Sequence, residues 1–449
     1  MAVFNTLSRE QKEAVGLLQV GTFLEYFDLF LFVHMAVILN ELFFPQTDPH
    51  TAALLTAFAF CSTYVLRPFG ALLFGYIGDR IGRKATVIIT TTMMSLSCVI
   101  MATLPTYAQV GIAATWLVTG CRICQGLSSM GEIVGAKVFI TETISGKAQY
   151  AMVSFIVLSA SMGGMAALAI ASLVTRYDFN WRNAFWVGAT IALVGSVART
   201  RLRETPEFAD YKRRKKNEIE QSIKNPDKRR DSINKLNAYK ERQTPFKTML
   251  AFFFIECSYP LVFFMIFMFF NPLLKKLGMS APDIIFHNLI LSCFSVFLNA
   301  LVIFAVMRFH PFSILNIRAM LAIFSFLIIP IVLYSHTSYL SIMLMQLLLV
   351  LTQGGCNPGE PIILKKIHVG RRFTFTSFNY ALSRAVMHVL ASFGLVYLTG
   401  WMGHAGLWII GIPVSVAYFW GIKHFQTLEG LRPDKSSNPD LGVEYGKAA

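Results

Sequence analysis

Long apolar stretches alternate with short polar connections along the whole chain. Each of twelve stretches is long enough to cross a bilayer of about 30 Å as an α-helix. Their approximate limits are 14–40, 51–78, 84–104, 110–141, 148–175, 182–202, 246–274, 283–308, 313–335, 338–364, 371–400 and 404–425. Six spans, a polar gap and six further spans predict an all-α membrane protein, with twelve transmembrane helices in two pseudo-symmetric six-helix bundles.

The gap between the sixth and seventh spans is the most polar part of the chain. It contains YKRRKKNEIEQSIKNPDKRRDSINKLNAYKER, in which acidic residues are interspersed among many basic ones. We expect a partly helical cytoplasmic linker that lies near anionic lipid headgroups. The predicted domains are a first bundle over 1–202, the linker over 203–245, a second bundle over 246–428 and a cytoplasmic tail over 429–449.

Composition agrees with a membrane location. Hydrophobic residues make up 55% of the 449 residues and charged residues 14%, whereas about a quarter of the residues in a soluble domain are charged. The formal net charge of +15 lies mostly in the linker and in short loops. This distribution is typical of membrane topology and argues against a nucleic-acid-binding face.

The basic residues also predict how the chain is oriented. Lys and Arg recur in the loops over 78–85, 308–318 and 365–372. They are absent from the loops over 40–50, 104–111, 335–339 and 400–406. By the positive-inside rule, the first group of loops and both termini are cytoplasmic. Lys275 and Lys276, on a predicted external loop, are the exception.

No residue pattern indicates an enzyme or a cofactor. The seven cysteines lie almost entirely in apolar spans, and Cys121 and Cys124 form a CxxC inside one span without a second pair. Packing explains them better than zinc binding or redox chemistry does. The chain has no phosphate-binding loop and no nucleophile–base or metal-ligand set.

Two carboxylates interrupt the first span, in GTFLEYFDLFLF at 21–32. Glu25 and Asp28 are three residues apart, so they share one face of a helix. A charged side chain in a membrane faces a polar cavity or a partner, and Arg122 in the fourth span is a suitable partner. Protonation of Asp28 would weaken such a pair, because a neutral carboxyl group holds a guanidinium weakly.

The loop between the second and third spans reads GYIGDRIGRKATV at 75–87. It resembles the cytoplasmic loop motif of the major facilitator superfamily. The matching positions are Gly75, Asp79, Arg80, Gly82, Arg83 and Lys84. The glycines allow a tight turn, and Asp79 is expected to pair with Arg83 and to face a helix N-terminus. The resemblance implies that this cluster latches the cytoplasmic side of the two halves together.

Further stretches of the first half resemble the metabolite:proton symporters of that superfamily. They are EYFD at 25–28, RPFGALLFGYIGDRIGRK at 67–84, RICQGLSSMGEIVGA at 122–136, WRNAFW at 181–186 and RLRETPEF at 201–208. The second half matches poorly: VMRFHPFSILNIR at 306–318 has lost the repeated loop motif, and Arg372 and Asn379 are only rough counterparts of family positions.

The resemblance assigns roles to the buried charges. Sugar carriers of the superfamily couple protons through an acid in the first span and an Arg in the fourth, so Asp28 is the predicted proton carrier and Arg122 its counter-charge. Glu25 is the second candidate, and Glu132 has a structural or a coupling role. The alternative is that Glu25, Asp28 and Arg122 form a fixed structural ion network.

The predicted substrate site draws on both halves. Arg384 either binds a substrate carboxylate or pairs with Glu256. Aromatic rings either pack or form a cage for a quaternary ammonium group. The rings concerned are those of Tyr26, Phe27, Tyr259 and Tyr380, and the amides of Asn379 and Gln125 complete the predicted site.

Three further features concern packing and the tenth span. We expect Lys137 to pair with Glu132 or Glu142. NPGEP at 357–361 predicts a break in the tenth span, with Glu360 as a gate residue or an interface anchor. SASMGGMAALA at 159–169 predicts close packing of the fifth span.

The resemblance implies proton-driven import of a small polar metabolite by alternating access, by a monomer in a bacterial inner membrane. Organic acids are the first substrate class and zwitterions such as proline or betaine the second. The expected partners are the substrate, protons and the lipid bilayer. Two alternatives remain: an exporter that exchanges substrate for protons, and a non-transporting sensor that keeps the fold.

Overall fold

The computed structural model describes residues 7–44, 64–177, 180–200, 204–224, 244–335 and 337–431. Within these ranges the regular structure is helical, as the apolar pattern predicts. The long helices of the first half and the linker are α1 (Arg9–Phe43), α2 (Arg67–Arg80), α3 (Arg83–Thr103), α4 (Ile112–Thr143), α5 (Lys147–Tyr177), α6 (Trp181–Arg199) and α7 (Pro206–Lys224), and a single helical turn over Tyr107–Val110 precedes α4.

The second half continues the same plan with more interruptions. Its helices are α8 (Phe246–Phe264), α9 (Ala281–Arg308), α10 (Pro311–Ser335), α11 (Tyr339–Thr352), α12 (Glu360–Lys365), α13 (Val369–Val389) and α14 (Gly406–Leu428). π-helical turns over Met265–Phe269 and Leu390–Leu395 follow α8 and α13. A short helix follows each turn, over Asn271–Lys276 and Val396–Met402.

The described helices follow the predicted spans, and residues 51–63 of the second span lie outside the described part. The tenth span is divided into α11 and α12, because the segment from Gln353 to Gly359 between them is not helical. This confirms the predicted break. Of the predicted linker, α7 is helical, while residues 225–243 lie outside the described part, as does the tail beyond residue 431.

Length and composition alone identify seven membrane-spanning segments among the described residues. They run over Arg9–Met35, Arg83–Thr103, Lys147–Tyr177, Phe246–Lys276, Ala281–Arg308, Pro311–Ser335 and Val369–Leu428. α4 is absent from this group because charged and polar side chains lower its hydropathy. These residues, which include Arg122, Lys137 and Glu142, are buried inside the protein.

The helix contacts repeat from one half to the other. α1 packs on α5 as α8 packs on α13, and α3 packs on α6 as α10 packs on α14. The halves meet through α2 against α13 and α5 against α9. This arrangement is that of two repeats related by an internal two-fold axis, and it places a cavity between them.

Candidate functional site

The central cavity lies between the two halves and has a volume of about 90 Å³. By the usual space requirement of about 10–15 Å³ for one water, it holds several waters or one small metabolite. Its charged lining residues are Lys137, Glu256, Arg318 and Arg384. Its other polar and aromatic lining residues include Tyr26, Phe30, Ser161, Tyr259, Phe263, Ser292, Ser295, Asn299, Gln353, Asn357 and Tyr380.

Arg384 is held by other side chains of the cavity wall. Its guanidinium donates to the carboxylate of Glu256 at 2.6 Å and lies over the ring of Tyr380, 3.2 Å from the centroid. Both ionic side chains are buried. Of the two alternatives considered for Arg384, the Glu256 pair is the one in the structure, so the charge of Arg384 is neutralised before any substrate enters.

The three predicted tyrosines all line the central cavity. The hydroxyl groups of Tyr26 and Tyr380, which come from different halves, lie 3.1 Å apart and share a hydrogen bond. Arg384 covers the face of Tyr380 and lies 5.5 Å from the centroid of Tyr259. An internal cation therefore occupies the aromatic faces that a quaternary ammonium group would need.

Lys137 forms an ion pair that crosses between the halves. Its ammonium nitrogen lies 2.8 Å from the Glu360 carboxylate, and both side chains are buried. The expectation that Lys137 pairs with Glu142 is wrong, because Glu142 binds two arginines elsewhere. The side chain of Glu132, the other expected partner and a predicted coupling residue, lies outside the described part of the structure.

Arg318 lies two turns inside α10 and lines the cavity. Its side chain is 6% exposed, and one of its nitrogens donates to the backbone carbonyl of Asn357 at 2.9 Å. The side-chain oxygen of Asn357 in turn accepts from Ser154 of α5 at 2.9 Å. Sequence analysis grouped Arg318 with the charges of the loop over 308–318, and the structure places it within the membrane-spanning part.

Asp28 lies in a second buried site, away from the central cavity wall. One carboxylate oxygen accepts from the Gln125 amide at 3.0 Å, and the other lies 3.5 Å from Arg122. Arg122 also donates to Gln125 at 2.8 Å and packs over Phe32 at 3.8 Å from its ring centroid. We call Asp28, Arg122 and Gln125 the Asp28 cluster. The pairing that the coupling hypothesis requires is present, and the proton-carrying role itself stays a prediction.

The other predicted members of the site are dispersed. Glu25 is buried, and its carboxylate accepts from the backbone N–H of Ile133 in α4 at 3.2 Å. Glu25 and Asp28 thus both face α4. Gln125 belongs to the Asp28 cluster, and Asn379 lines a small, mostly apolar pocket beside Phe252 and Phe425, so neither amide reaches the central cavity.

The loop motif forms a contact between the halves at the predicted cytoplasmic end. Asp79 accepts from the backbone N–H of Phe373 at 3.2 Å and from both N–H and hydroxyl of Thr374, at 2.9 and 2.6 Å. It also pairs with Arg83 at 3.0 Å. The predicted pair and the approach to the N-terminal part of α13 are both present.

Arg83 and Glu142 form the centre of this contact. The Arg83 guanidinium lies 3.1 Å from Glu142 and donates to the carbonyl of Val369 across the interface at 2.9 Å. Glu142 also accepts from Arg372 at 3.2 Å. We call Asp79, Arg83, Glu142 and Arg372 the latch.

The remaining motif residues support the latch from its edges. Gly75 approaches Thr374 so closely that an added Cβ would lie 2.7 Å from its Cα. Gly82 adopts a φ of 151°, which favours glycine. Arg80 stacks on Tyr76 at 4.5 Å, and Lys84 is half-buried.

The site residues that sequence analysis missed are Arg318 and the Lys137–Glu360 pair. The available signal was a charged residue within or beside an apolar span, since such residues face the protein interior. That signal gives no partner, because the two members of the pair belong to different halves.

The fold and the site define a membrane protein of two six-helix halves that enclose a charged cavity and meet in a polar latch. The family model of the Major Facilitator Superfamily matches residues 18–392, and the chain belongs to this superfamily.

Relatives in bacteria match over part of the chain. The inner membrane metabolite transport protein YhjE of Escherichia coli K12 is 36% identical over 205 residues, 44% of this chain and 47% of the relative. A proline/betaine transporter of Salmonella typhimurium is 30% identical over 207 residues, 44% of this chain and 41% of the relative. The matched region therefore spans about half the length of these relatives.

A solved structure resembles the fold over nearly the whole chain. The proton:xylose symporter XylE of E. coli, bound to 6-bromo-6-deoxy-D-glucose, superposes with a TM-score of 0.75 at 15% identity. The superposition covers 93% of this chain and 95% of the other. At this identity the likeness concerns the fold alone.

Proposed function

We propose that the chain is a secondary transporter that imports a small polar metabolite together with protons, by alternating access. The observation that carries this proposal is the charged cavity between the halves, with the latch at one end. A cavity of this kind at a repeat interface is where carriers bind their substrates. The named relatives, a metabolite transport protein and a proline/betaine transporter, support a transport role.

The energy source is the proton gradient. The Asp28 cluster provides a carboxylate that alternates between two states: ionised and held by Arg122, or protonated and released. Release of Arg122 breaks the ion pair that joins α1 to α4. Each protonation state of Asp28 therefore favours a different arrangement of the halves. The fold shared with a proton:xylose symporter is in keeping with this assignment.

Uptake into proteoliposomes tests the proposal directly. An inwardly directed proton gradient is expected to drive accumulation of an accepted metabolite, and dissipation of the gradient is expected to abolish it. The direction of flux also separates import from export. Substrate binding without any flux or counterflow would indicate a sensor and would end the transport proposal.

The Asp28→Asn variant tests the proton carrier. The amide keeps the shape but carries no titratable proton, so gradient-driven accumulation is expected to be lost while substrate exchange at equal pH continues. The matched control is Glu13→Gln, which neutralises an exposed carboxylate of the same helix. If Asp28→Asn still accumulates substrate in response to the gradient, Asp28 is not the proton carrier.

The Arg122→Ala variant tests the counter-charge. Removal of one partner leaves Asp28 buried without its cation, which favours the protonated acid. We expect accumulation to fall strongly, because Asp28 then stays protonated throughout the transport cycle. Accumulation at the parent level would show that the Asp28–Arg122 pair is only a structural contact.

A further inference from the structure

The charges around the central cavity do not balance. Lys137 is paired with Glu360, and Arg384 is paired with Glu256. Arg318 takes part in none of the ion pairs found among the described residues, although it is buried and lines the cavity. The cavity therefore keeps one uncompensated positive charge.

The donors of Arg318 are largely unused. A guanidinium has five N–H donors in a planar fork, and the structure gives this one a single acceptor among the described residues, the carbonyl of Asn357. Burial of a cation without a counter-ion is unfavourable, and a carboxylate is the group whose geometry best matches the fork. An anion that enters the cavity would supply the missing partner.

A second wall residue has an unused polar atom. Asn299 is 2% exposed, and its amide nitrogen donates to Ser161 at 2.9 Å, while its side-chain oxygen has no hydrogen-bond partner. A buried polar atom of this kind requires a partner from a ligand or water. A hydroxyl group fits this position in either orientation of the amide, because it both donates and accepts.

We propose that Arg318 is the carboxylate-binding residue of the central cavity and that the substrate is a small hydroxy monocarboxylate. The assignment of this molecule as substrate rests on the proposed transport function. One negative charge neutralises the cavity. A dicarboxylate leaves one negative charge in excess, and a zwitterion brings a cation to a cavity that already has a surplus of positive charge.

Equilibrium binding to the purified full-length chain in detergent tests the proposal without a membrane gradient. The probes are glycolate, L-lactate and 3-hydroxybutyrate, each beside its primary amide, with succinate and glycine betaine as the competing classes. At least one hydroxy acid is expected to bind, and at least tenfold more tightly than its amide. Binding of none of the three acids, or equal binding of acid and amide, overturns the proposal.

The variant Arg318→Met removes the cation and keeps the length of the side chain. Affinity for the bound acid is expected to fall about 10- to 100-fold, as for other hydrogen bonds to charged groups. The matched control is Arg308→Met, which removes an exposed arginine at the end of α9 and leaves affinity unchanged. Parent-level affinity in Arg318→Met contradicts the proposal.

A second variant covers the case in which Arg318→Met does not fold. Arg318→Lys keeps the charge but loses the planar fork, so affinity is expected to lie between those of the parent and the neutral variant. The comparison of acid with amide on the unaltered chain needs no variant. Binding is measured without a proton gradient, so a failure of proton coupling would not change this result. Conversely, if none of the acids binds, uptake experiments can still show whether the chain transports another substrate.

Discussion

At the scale of single residues, two pairs of oppositely charged side chains beside the central cavity neutralise each other across helix boundaries. Lys137 of α4 binds Glu360 of α12, and Arg384 of α13 binds Glu256 of α8. Burial of either charged side chain alone is energetically unfavourable, and its partner offsets part of that cost. These pairs hold neighbouring helices together even when no substrate is bound.

The Lys137–Glu360 pair gives a stability prediction. Lys137→Met leaves Glu360 buried and unpaired, so the expected loss of stability is about 3–5 kcal/mol. The double variant Lys137→Met/Glu360→Gln is expected to recover most of that loss, because no ion remains unpaired. Thermal unfolding in detergent measures both.

The control for this pair is Lys216→Met, which breaks an exposed contact of 3.7 Å with Glu220 on α7 and is expected to cost less than about 1 kcal/mol. A double variant as unstable as Lys137→Met alone would mean that the two side chains stabilise the fold independently of their pairing.

Individual residues were predictable where spacing along one helix decided the outcome. Glu25 and Asp28 face α4 because they are three positions apart and a membrane-embedded acid turns inward. Arg318 was not predictable, because a basic run beside a span does not show how deep each residue lies. Lys137 pairs with Glu360 because the fold brings two distant segments of the chain together. A single sequence does not show which distant segments meet, so this pair was not predictable.

At the scale of helices, close approach depends on small residues in α5. Gly163 lies against the backbone of α1, where an added Cβ would be 3.0 Å from the carbonyl carbon of Phe23 and 3.1 Å from the nitrogen of Phe27. Backbone atoms at that distance cannot rotate away as a side chain does. This explains the small-residue stretch by packing, as the sequence indicates.

The Gly163→Ala variant tests that contact. α1 and α5 are expected to move apart, with a loss of about 1–3 kcal/mol of stability from overpacking and a lower unfolding temperature. Gly120→Ala is the matched control, because nothing lies within 4 Å of its added Cβ. Equal melting temperatures for the two variants would show that the contact between α1 and α5 accommodates the added methyl group.

Helix existence was predictable almost throughout, because long apolar runs leave few alternatives in a membrane. The break before Glu360 was predictable from its prolines and glycines. The π-helical turns after α8 and α13 were not, since each depends on tertiary packing that local sequence does not encode.

At the scale of the whole molecule, the latch joins the two halves at one end. Glu142 of the first half accepts from Arg83 of its own half and from Arg372 of the other, and Asp79 caps N–H groups of α13. Opening of this end must break all of these bonds together. The latch therefore favours the arrangement seen here over one that is open at the same end.

The Glu142→Gln variant tests the latch. A neutral amide holds Arg83 and Arg372 less strongly than a carboxylate does, so the open arrangement is expected to gain about tenfold or more in population, since a hydrogen bond to a charged group contributes about 1.5–3 kcal/mol. Hydrogen–deuterium exchange of peptides over 369–376 is expected to accelerate accordingly. Asp283→Asn, at an exposed helix cap far along the chain, is the control. Unchanged exchange in Glu142→Gln would show that this carboxylate does not hold the end closed.

The interruption between α11 and α12 has a consequence for the proposed anion site. Backbone carbonyls at membrane depth need donors, and here Arg318 serves Asn357 while the Tyr418 hydroxyl serves Gly355 at 3.1 Å. Asn357 also holds Ser154 of the opposite half. An anion bound to the unused donors of Arg318, as proposed, would share that guanidinium with the Asn357 carbonyl, so occupancy of the cavity would reach the contact with Ser154 in the opposite half through the main chain.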